Sequence, residues 1–547
     1  MIDVKGEYVA VIVVLDGCSV PCLKKAHTPV LDGIREKGTA TFKCKSVYPT
    51  VTYSAHCSII TGKFPATHGI VGNCFYDRKS DKIIDFDFYD VNSFITENTI
   101  YEMVDGITAA VGEPITRGAD IVISKSEIQE RDVWEQDRYA TEKAIEVLKT
   151  YSPRLIIINF PGVDAILERY GPDSRQAVKI LEDADKLIGQ LESFLNERYS
   201  DHLLVVIADH GMTSVHSNVD LSKVLEKTGA KVCPSHRFAH VYVDMRDISR
   251  VKQLLMSDDR LELVLSHEEL DRIRLSNPRA GDLVVVARGG YEFSKQKLRG
   301  SHGGITSDEM NVPLLINKIE YNDLVRDADI TVIPKIVLRY LTEKDAEGIA
   351  KSKLLNTDPS HDWSHTERVL SLSTQLAIKY GADVEVVRLA CILHDAERGY
   401  LQENHSQRGA ELAERFLQKR RYPISKIKKV KEAILLHHTK MPEKLKTLEA
   451  MILWDADKLD ALGLTGLARC LLEAGYFGKG IDEALAHLER DINEFKDAMH
   501  FKETKRIAKQ KIKNVSKVIE SLRKELSHCL AQRRYKSFIL KAIIRNL

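Results

Sequence analysis

The sequence carries almost no net charge: 80 lysines and arginines face 79 aspartates and glutamates, leaving +1 over 547 residues. That balance excludes a global pull towards nucleic acid or an anionic membrane, so any polyanion must be held by a local site and no binding of nucleic-acid duplex is expected. No stretch reaches the roughly 18 uninterrupted apolar residues of a membrane span, so none is predicted. The first residues, MIDVKGEYVAVIVVLDG, place acids ahead of a strand-length apolar run, which is not the pattern of a secretory signal peptide. Cysteine is sparse: nine residues, an odd number, with no CxxC pair. Cys18 and Cys22 stand near one another, but nothing else completes a metal set. Reduced thiols in a cytoplasmic protein fit this usage. Repeats and low-complexity tracts are absent.

What is present suffices for a large core. Hydrophobic residues make up 44% of the chain, and its length implies about two or three domains. In the first part, VAVIVVL (9–15), LIIIN (155–159), LLVVIA (203–208) and LVVVA (283–287) read as fully buried strands. They are continuous rather than alternating, as parallel strands covered on both faces are. Helix-period stretches such as DRYATEKAIEVLKTY (137–151) separate some of them, which predicts an α/β domain with a mostly parallel central sheet. From about residue 346 strand-like runs stop. HTERVLSLSTQLAIKYGA, DVEVVRLACILHDAE and SQRGAELAERFLQKR show apolar residues at spacings of three and four, predicting an all-α domain. We place the boundary in the polar segment 342–360. The expected organisation is a first domain over 1–345, a second over 346–530, and a basic amphipathic tail over 531–547 that reads as a terminal packing helix.

Three of the apolar runs lead into acids: Asp16, Asp164 and Asp209, the last followed by His210. In open α/β sheets, ligands bind beyond the carboxyl ends of the strands. Desolvated acids gathered there repel one another, and one or two divalent cations remove that problem. The glycine-flanked loop RGSHGG adds His302. The block YPTVTYSAHCSIITGKFPATHGIVGN (48–73) sets the hydroxyls of Thr50, Thr52 and Ser54 ahead of a helical segment, where a hydroxyl serves either as a cap or as a nucleophile. In the helical half, HDWSHTERV (361–369), CILHDAE (391–397), ENHSQRGAELAE (403–414), ILLHH (434–438) and LWDADKLDALG (453–463) concentrate histidine on apolar helices, which favours a metal site.

Over roughly residues 6–342, these motifs in this order resemble type I phosphodiesterases and nucleotide pyrophosphatases, members of the alkaline phosphatase superfamily. The resemblance implies an alkaline-phosphatase-like α/β/α sandwich and a two-zinc hydrolase. It implies that Asp16, Asp209 and His210 hold one metal, with Thr52 as nucleophile on it, and that Asp164 and His302 hold the second. Attack of the Thr52 oxygen on phosphorus would give a phospho-threonine enzyme that water then hydrolyses. Two positions depart from the pattern. Ala55 stands where nucleotide-cleaving relatives carry asparagine, and Glu168 stands where the family carries histidine, four residues after Asp164. That spacing sets Glu168 and Asp164 on one helix face. Glu168 is therefore expected to be a ligand, with carboxylates favouring manganese.

The order H…HD…D over roughly 352–526 resembles HD-domain metal-dependent phosphohydrolases. It implies that His365, His394, Asp395 and Asp457 hold a manganese, iron, cobalt or similar ion. His361, His405, His437 and His438 are candidates for a second metal or for phosphate contact. Glu397 is a candidate general acid or base, with an exposed surface charge as its equal alternative, and Lys458 is divided between phosphate contact and a solvated charge. The function expected is that of a bifunctional metal-dependent hydrolase of phosphoester or pyrophosphate bonds in nucleotides or related small phosphorylated metabolites, with metal-activated water in the HD domain. The alternatives are a phosphonoacetate-type phosphonate or phosphomonoester hydrolase in the first domain, and a nucleotide-sensing regulatory protein with one degenerate domain. No pattern specifies an oligomeric state.

Overall fold

Continuous β-branched sequence produces strands buried on both faces, and Val9–Leu15 is fully buried in the computed structural model. The structure describes residues 6–293, 296–355, 357–399 and 404–545, with side chains described as far as residue 527. Two compact units divide between Leu341 and Thr342. In the first, Gly6–Leu15 is the middle strand of a seven-stranded sheet. The order is Thr39–Lys45, Asn311–Ile316, Tyr199–Ile207, Gly6–Leu15, Leu155–Phe160, Thr108–Val111 and Ile121–Ile123. Gly6–Leu15 runs parallel to both neighbours, with Ile12 opposite Ile157 on one side and Val205 on the other. Asn311–Ile316 is antiparallel to the strands it pairs with. The three strands that lead to Asp16, Asp164 and Asp209 are thus adjacent and end at the same edge. The helices Gln136–Tyr151 and Arg175–Arg198 pack on one another and on this sheet.

The run LVVVA departs from the expected parallel arrangement. Leu283–Ala287 is antiparallel to both Phe238–Tyr242 and Leu261–Ser266, in a separate four-stranded sheet. Its Val284 and Val286 join the main core, while Leu283, Val285 and Ala287 join a second apolar cluster with Val251 and Leu255. A strand covered on both faces is apolar throughout whichever way its neighbours run, so continuity did not distinguish the two arrangements.

The second unit is all helical, through Trp363–Tyr380, Val384–Leu393, His405–Lys419, Ile424–Leu436, Leu448–Asp460, Gly463–Tyr476, Ile481–Phe495 and Lys502–Arg545. Asp362 starts the first of these by accepting the His365 N–H. The expected polar linker is helical over its first part. Helix Ile333–Leu354 contains the division, giving Ile336, Val337 and Leu341 to the first core and Ala346 and Ala350 to the second. Of the tail at 531–547, the backbone to residue 545 continues the last helix; its side chains and residues 546–547 lie outside the described residues. Among the described residues, no helix is long and apolar enough to cross a membrane.

Gly211 shows how tightly the sheet edge is built. Its N–H donates to the Glu309 carbonyl at 2.9 Å, and a Cβ there would lie 1.9 Å from the Asp308 carbonyl oxygen. Backbone cannot yield as a flexible side chain does. Gly211→Ala is therefore expected to destabilise the first unit by about 1–3 kcal/mol, read as a lower denaturant midpoint for that unit. An unchanged midpoint would show that the 308–311 segment moves freely.

Candidate metal centres

The carboxyl edge of the sheet delivers the first unit's acids. Asp16 directly follows its strand, Asp209 and His210 lie just beyond theirs, and Asp164 is in the first turn of helix Pro161–Tyr170. Gly17 makes the approach of Asp164 possible. It has a left-handed φ of 66°, and a Cβ there would sit 2.4 Å from Asp164 Oδ1. Its N–H donates to Asp209 Oδ1 at 3.0 Å, and Asn159 donates to Asp16 Oδ2 at 3.0 Å.

Of the hydroxyls of Thr50, Thr52 and Ser54, two are committed to backbone. Thr50 donates to the Gly304 carbonyl at 2.9 Å and Ser54 to the Ile70 carbonyl at 2.9 Å. Thr52 opens helix Thr52–Thr61, whose start has no side-chain cap. Its Oγ1 instead lies 3.4 Å from His210 Nε2. His210 Nδ1 faces the Gly211 carbonyl at 3.0 Å. A carbonyl only accepts, so Nδ1 carries the proton and Nε2 presents a lone pair. That lone pair lies 3.1 Å from Asp209 Oδ2 and 3.8 Å from Asp16 Oδ1. Lone pairs facing one another in a buried site call for a cation between them.

His302 repeats the pattern, with Nδ1 donating to the Thr50 carbonyl at 2.9 Å. Its Nε2 is 3.9 Å from Asp164 Oδ1 and 3.8 Å from Glu168 Oε1. Three donor sets emerge: Asp16, His56 and Asp209; Asp164, His210 and His302; and Glu168, His236 and His302. In these sets Asp16 Oδ1, His56 Nε2, Asp164 Oδ1, Glu168 Oε1, Asp209 Oδ2, His236 Nδ1 and His302 Nε2 are buried without a hydrogen-bond partner. Buried polar atoms are rarely left so, and their convergence fits divalent cations. The electrostatics agree. Burial, then Glu168, pushes Asp164 well above the usual carboxylate range, and burial, then Glu292, lifts Glu168 to about 8. Burial, then Asp209, raises Asp16. Burial, then His210 and His236, holds His302 well below its ordinary value.

Two residues of this unit escaped the sequence reading. His56 lies 3.6 Å from Asp209 Oδ2 and 3.8 Å from Asp16 Oδ2, while its Nδ1 bonds to Glu113 at 2.7 Å. Burial opposes its cation, but Glu113, with Asp209 and Asp16, outweighs that and lifts its pKa to about 9. The signal was available: His56 is four residues after Thr52, on the same helix face. His236 had none, because it reaches Glu168 from a distant hairpin.

The second unit gathers its histidines in two sets, His365, His394 and Asp457, and Asp395, His405, His437 and His438. Asp395 bridges them. Its Oδ2 is 3.5 Å from His394 Nε2 and 3.7 Å from His365 Nε2, and its Oδ1 is 3.4 Å from His437 Nε2 and 3.5 Å from His405 Nε2. Asp457 Oδ1 lies 3.4 Å from His365 Nε2. Three of these imidazoles are oriented from behind: His365 by Asp460 at 2.8 Å, His394 by the Cys391 carbonyl and His437 by the Ile434 carbonyl, each at 2.6 Å. Their Nε2 atoms are buried without partners. Such partners behind a ligating ring are typical of metal-binding histidine. Asp460, three residues after Asp457, was passed over in the sequence.

Here burial opposes the charge on Asp395 and Asp457, but His394 and Arg398 around the first, and Lys458 and His365 around the second, hold both well below the usual range. A cavity of about 290 Å³ adjoins the centre, lined among others by His361, Arg398, Lys440, Asp457, Lys458 and Arg469. His361 is tied by Asp358 at 2.9 Å, and Lys458 pairs with Asp457 at 2.8 Å. Glu397 is not brought into either set: its carboxylate pairs with Lys353 at 2.6 Å.

Residues 10–305 match the family described as Type I phosphodiesterase / nucleotide pyrophosphatase, and residues 362–462 match the HD domain. The chain is 26% identical over 226 residues to an uncharacterized pyrophosphatase/phosphodiesterase of Schizosaccharomyces pombe, covering 38% of this chain and 45% of that one. It is 25% identical over 311 residues to human ectonucleotide pyrophosphatase/phosphodiesterase family member 5, covering 53% and 65%. The chain thus spans less than two thirds of each. Among solved structures, inactive murine ectonucleotide pyrophosphatase/phosphodiesterase 5 in complex with AMP aligns with a TM-score of 0.54 and 21% identity, over 61% of this chain and 95% of that one. Phosphonoacetate hydrolase from Sinorhizobium meliloti 1021 in complex with phosphonoformate aligns with a TM-score of 0.51, 21% identity and the same coverage. These likenesses show the fold.

A pH dependence follows for the metal-free protein. Glu168 is raised from 4.5 to about 8 and His56 from 6.5 to about 9. Each holds in the fold a proton that the unfolded chain releases earlier. The stability this contributes is complete below the unfolded values and is lost as pH rises through the folded ones. In excess chelator, the contribution of these two groups to the denaturant midpoint of the first unit should therefore fall from about pH 5 to about pH 9, and saturating divalent cation should flatten that slope. A profile in chelator that is already flat would contradict the assigned charge balance.

Proposed function

Because the chain belongs to the type I phosphodiesterase / nucleotide pyrophosphatase family and carries an HD domain after it, we propose that it is a bifunctional metal-dependent hydrolase of phosphoester or pyrophosphate bonds in nucleotides or related small phosphorylated metabolites. The observation that carries this reading is the convergence of partnerless buried imidazole nitrogens and carboxylate oxygens beside the uncapped Thr52 hydroxyl. In the first unit, Asp16, Asp209 and His210 would hold one cation beside Thr52, and Asp164, Glu168 and His302 the second. In the second unit, His365, His394, Asp395 and Asp457 would hold one ion. Asp395, through its other oxygen, would share a second with His405 and His437. Bound divalent cations would supply polarisation of phosphoryl oxygens and acidification of the attacking hydroxyl or water.

The residues themselves set the rest. Thr52 Oγ1 attacks phosphorus, a bond to the leaving oxygen breaks, and the phosphoryl group rests on Thr52 until water displaces it. The positive end of helix Thr52–Thr61 would lie beside the phosphoryl oxygens. Asn73, whose Oδ1 accepts the Tyr53 N–H at 3.3 Å, brings an amide to the same turn, where Ala55 has none. In the second unit Arg398, Lys440, Lys458 and Arg469, together with the acids Asp457, Glu473, Asp491 and Glu494, line a cavity whose volume suits a small phosphorylated compound. Nothing in its placement supports an acid–base role for Glu397. The cysteines among the described residues are buried free thiols, which supports a reducing compartment such as the cytoplasm.

Thr52→Ala should lower hydrolysis of bis-p-nitrophenyl phosphate by at least about a thousandfold while metal content by elemental analysis stays at the wild-type value. Retained turnover would return Thr52 to an ordinary helix-start residue. The same panel run with nucleotides and phosphonoacetate separates diester from phosphonate chemistry. Asp395→Ala should empty the second unit of metal and lower its thermal stability, since a ligand bound only to the native state stabilises it, while the bis-p-nitrophenyl phosphate activity of the first unit persists. Unchanged metal content would sink the second-unit assignment.

A further inference from the structure

We propose that His236 is a ligand of the second metal of the first unit, completing a set of Asp164, Glu168, His236 and His302 that suits zinc. The proposal rests on the two-metal reading of that unit. His236 and Arg237 form the two-residue loop between strands Lys231–Ser235 and Phe238–Tyr242, in which Ser235 pairs with Phe238. His236 adopts a left-handed φ of 57°, a conformation in which an ordinary side chain is strained and glycine is at home. The surroundings enforce it. Arg237 is fully buried; it donates to the Tyr291 carbonyl at 3.2 Å, to Glu309 at 2.5 Å and to the Ala287 carbonyl at 2.9 Å. The Arg237 N–H donates to the His302 carbonyl at 2.8 Å, and the Phe293 N–H to the His236 carbonyl at 2.9 Å. The hairpin is thereby fastened to the backbone of a ligand residue, and the rings of His236 and His302 lie 4.0 Å apart.

The imidazole arrives with an uncommitted nitrogen. His236 Nδ1 is 3.2 Å from Glu168 Oε1, yet both atoms are buried and neither makes a hydrogen bond, and His302 Nε2 beside them is also partnerless. A simple histidine–glutamate hydrogen bond would leave neither atom unsatisfied. The three atoms lie within 4.8 Å of one another, a spacing one ion can close by drawing them in. The family's imidazole four residues after Asp164 is a carboxylate here, and the hairpin returns an imidazole to the same place. Two imidazoles and two carboxylates form a set that zinc accepts, so the manganese preference expected from Glu168 alone gives way at this centre.

Full-length wild type, His236→Gly and Asp164→Ala are loaded with zinc, dialysed against a weak chelator, and their zinc counted by elemental analysis with affinity read by chromogenic chelator competition. Glycine keeps the left-handed turn, so a merely structural role would leave zinc binding intact, and the chelator-treated variant should melt no lower than chelator-treated wild type. The expected result is loss of one zinc in Asp164→Ala, and in His236→Gly either loss of one zinc or at least about tenfold weaker binding of it. His236→Gly with wild-type zinc count and affinity, while Asp164→Ala loses one, overturns the His236 assignment and leaves the two-metal reading standing. Asp164→Ala with the wild-type count overturns the two-metal reading, and the proposal with it.

Discussion

The cost of burying carboxylates without a counter-charge governs the first unit. Asp16 and Asp209 are buried at the ends of adjacent parallel strands, and Asp164 enters from the next. Taken alone, this arrangement repels itself and is poorly solvated. The surrounding geometry depends on it: the left-handed Gly17 that lets Asp164 approach, the tautomer of His210 fixed by the Gly211 carbonyl, and the His56–Glu113 pair behind Asp16. Each directs a lone pair or a charge towards the acids instead of away from them. A fold optimised only for stability would place apolar groups at this edge. Its retention of unpaired donors is intelligible if cations are the missing partners.

The second unit reaches the same end by the opposite balance. Its acids are outnumbered by imidazoles and flanked by Arg398 and Lys458, so Asp395 and Asp457 stay ionised where Asp164 and Glu168 tend towards protonation. Asp395 turns one oxygen to each of two histidine groups. The supporting acid Asp460 is itself fixed by Arg368 at 2.7 Å and Arg469 at 3.2 Å. Helix ends do here what strand ends do in the first unit: His394 and His437 each stand at the close of a helix, where the backbone carbonyl three residues earlier is free to orient the ring.

Period and composition determined much of this by themselves. Apolar continuity marked the strands at 9–15, 155–159 and 203–208. Spacings of three and four marked the helices of the second unit, and the residues directly after those strands and helices named Asp16, Asp209, His210, His394 and Asp395. These were legible because a strand or helix places its own terminal residue, and the order of motifs along the chain assigned the two families. Tertiary structure alone decided the rest. The direction of Leu283–Ala287 depends on neighbours far away in sequence, since burial on both faces removes the alternation that would distinguish them. Glu397 looked available in sequence because nothing there revealed that Lys353 would reach it. His236 is brought beside Glu168 and His302 by a hairpin whose buried Arg237 is tied to the backbone of His302. Sequence specifies a ligand where local geometry aims the side chain; where two distant segments must meet, only packing and hydrogen bonding between them can decide.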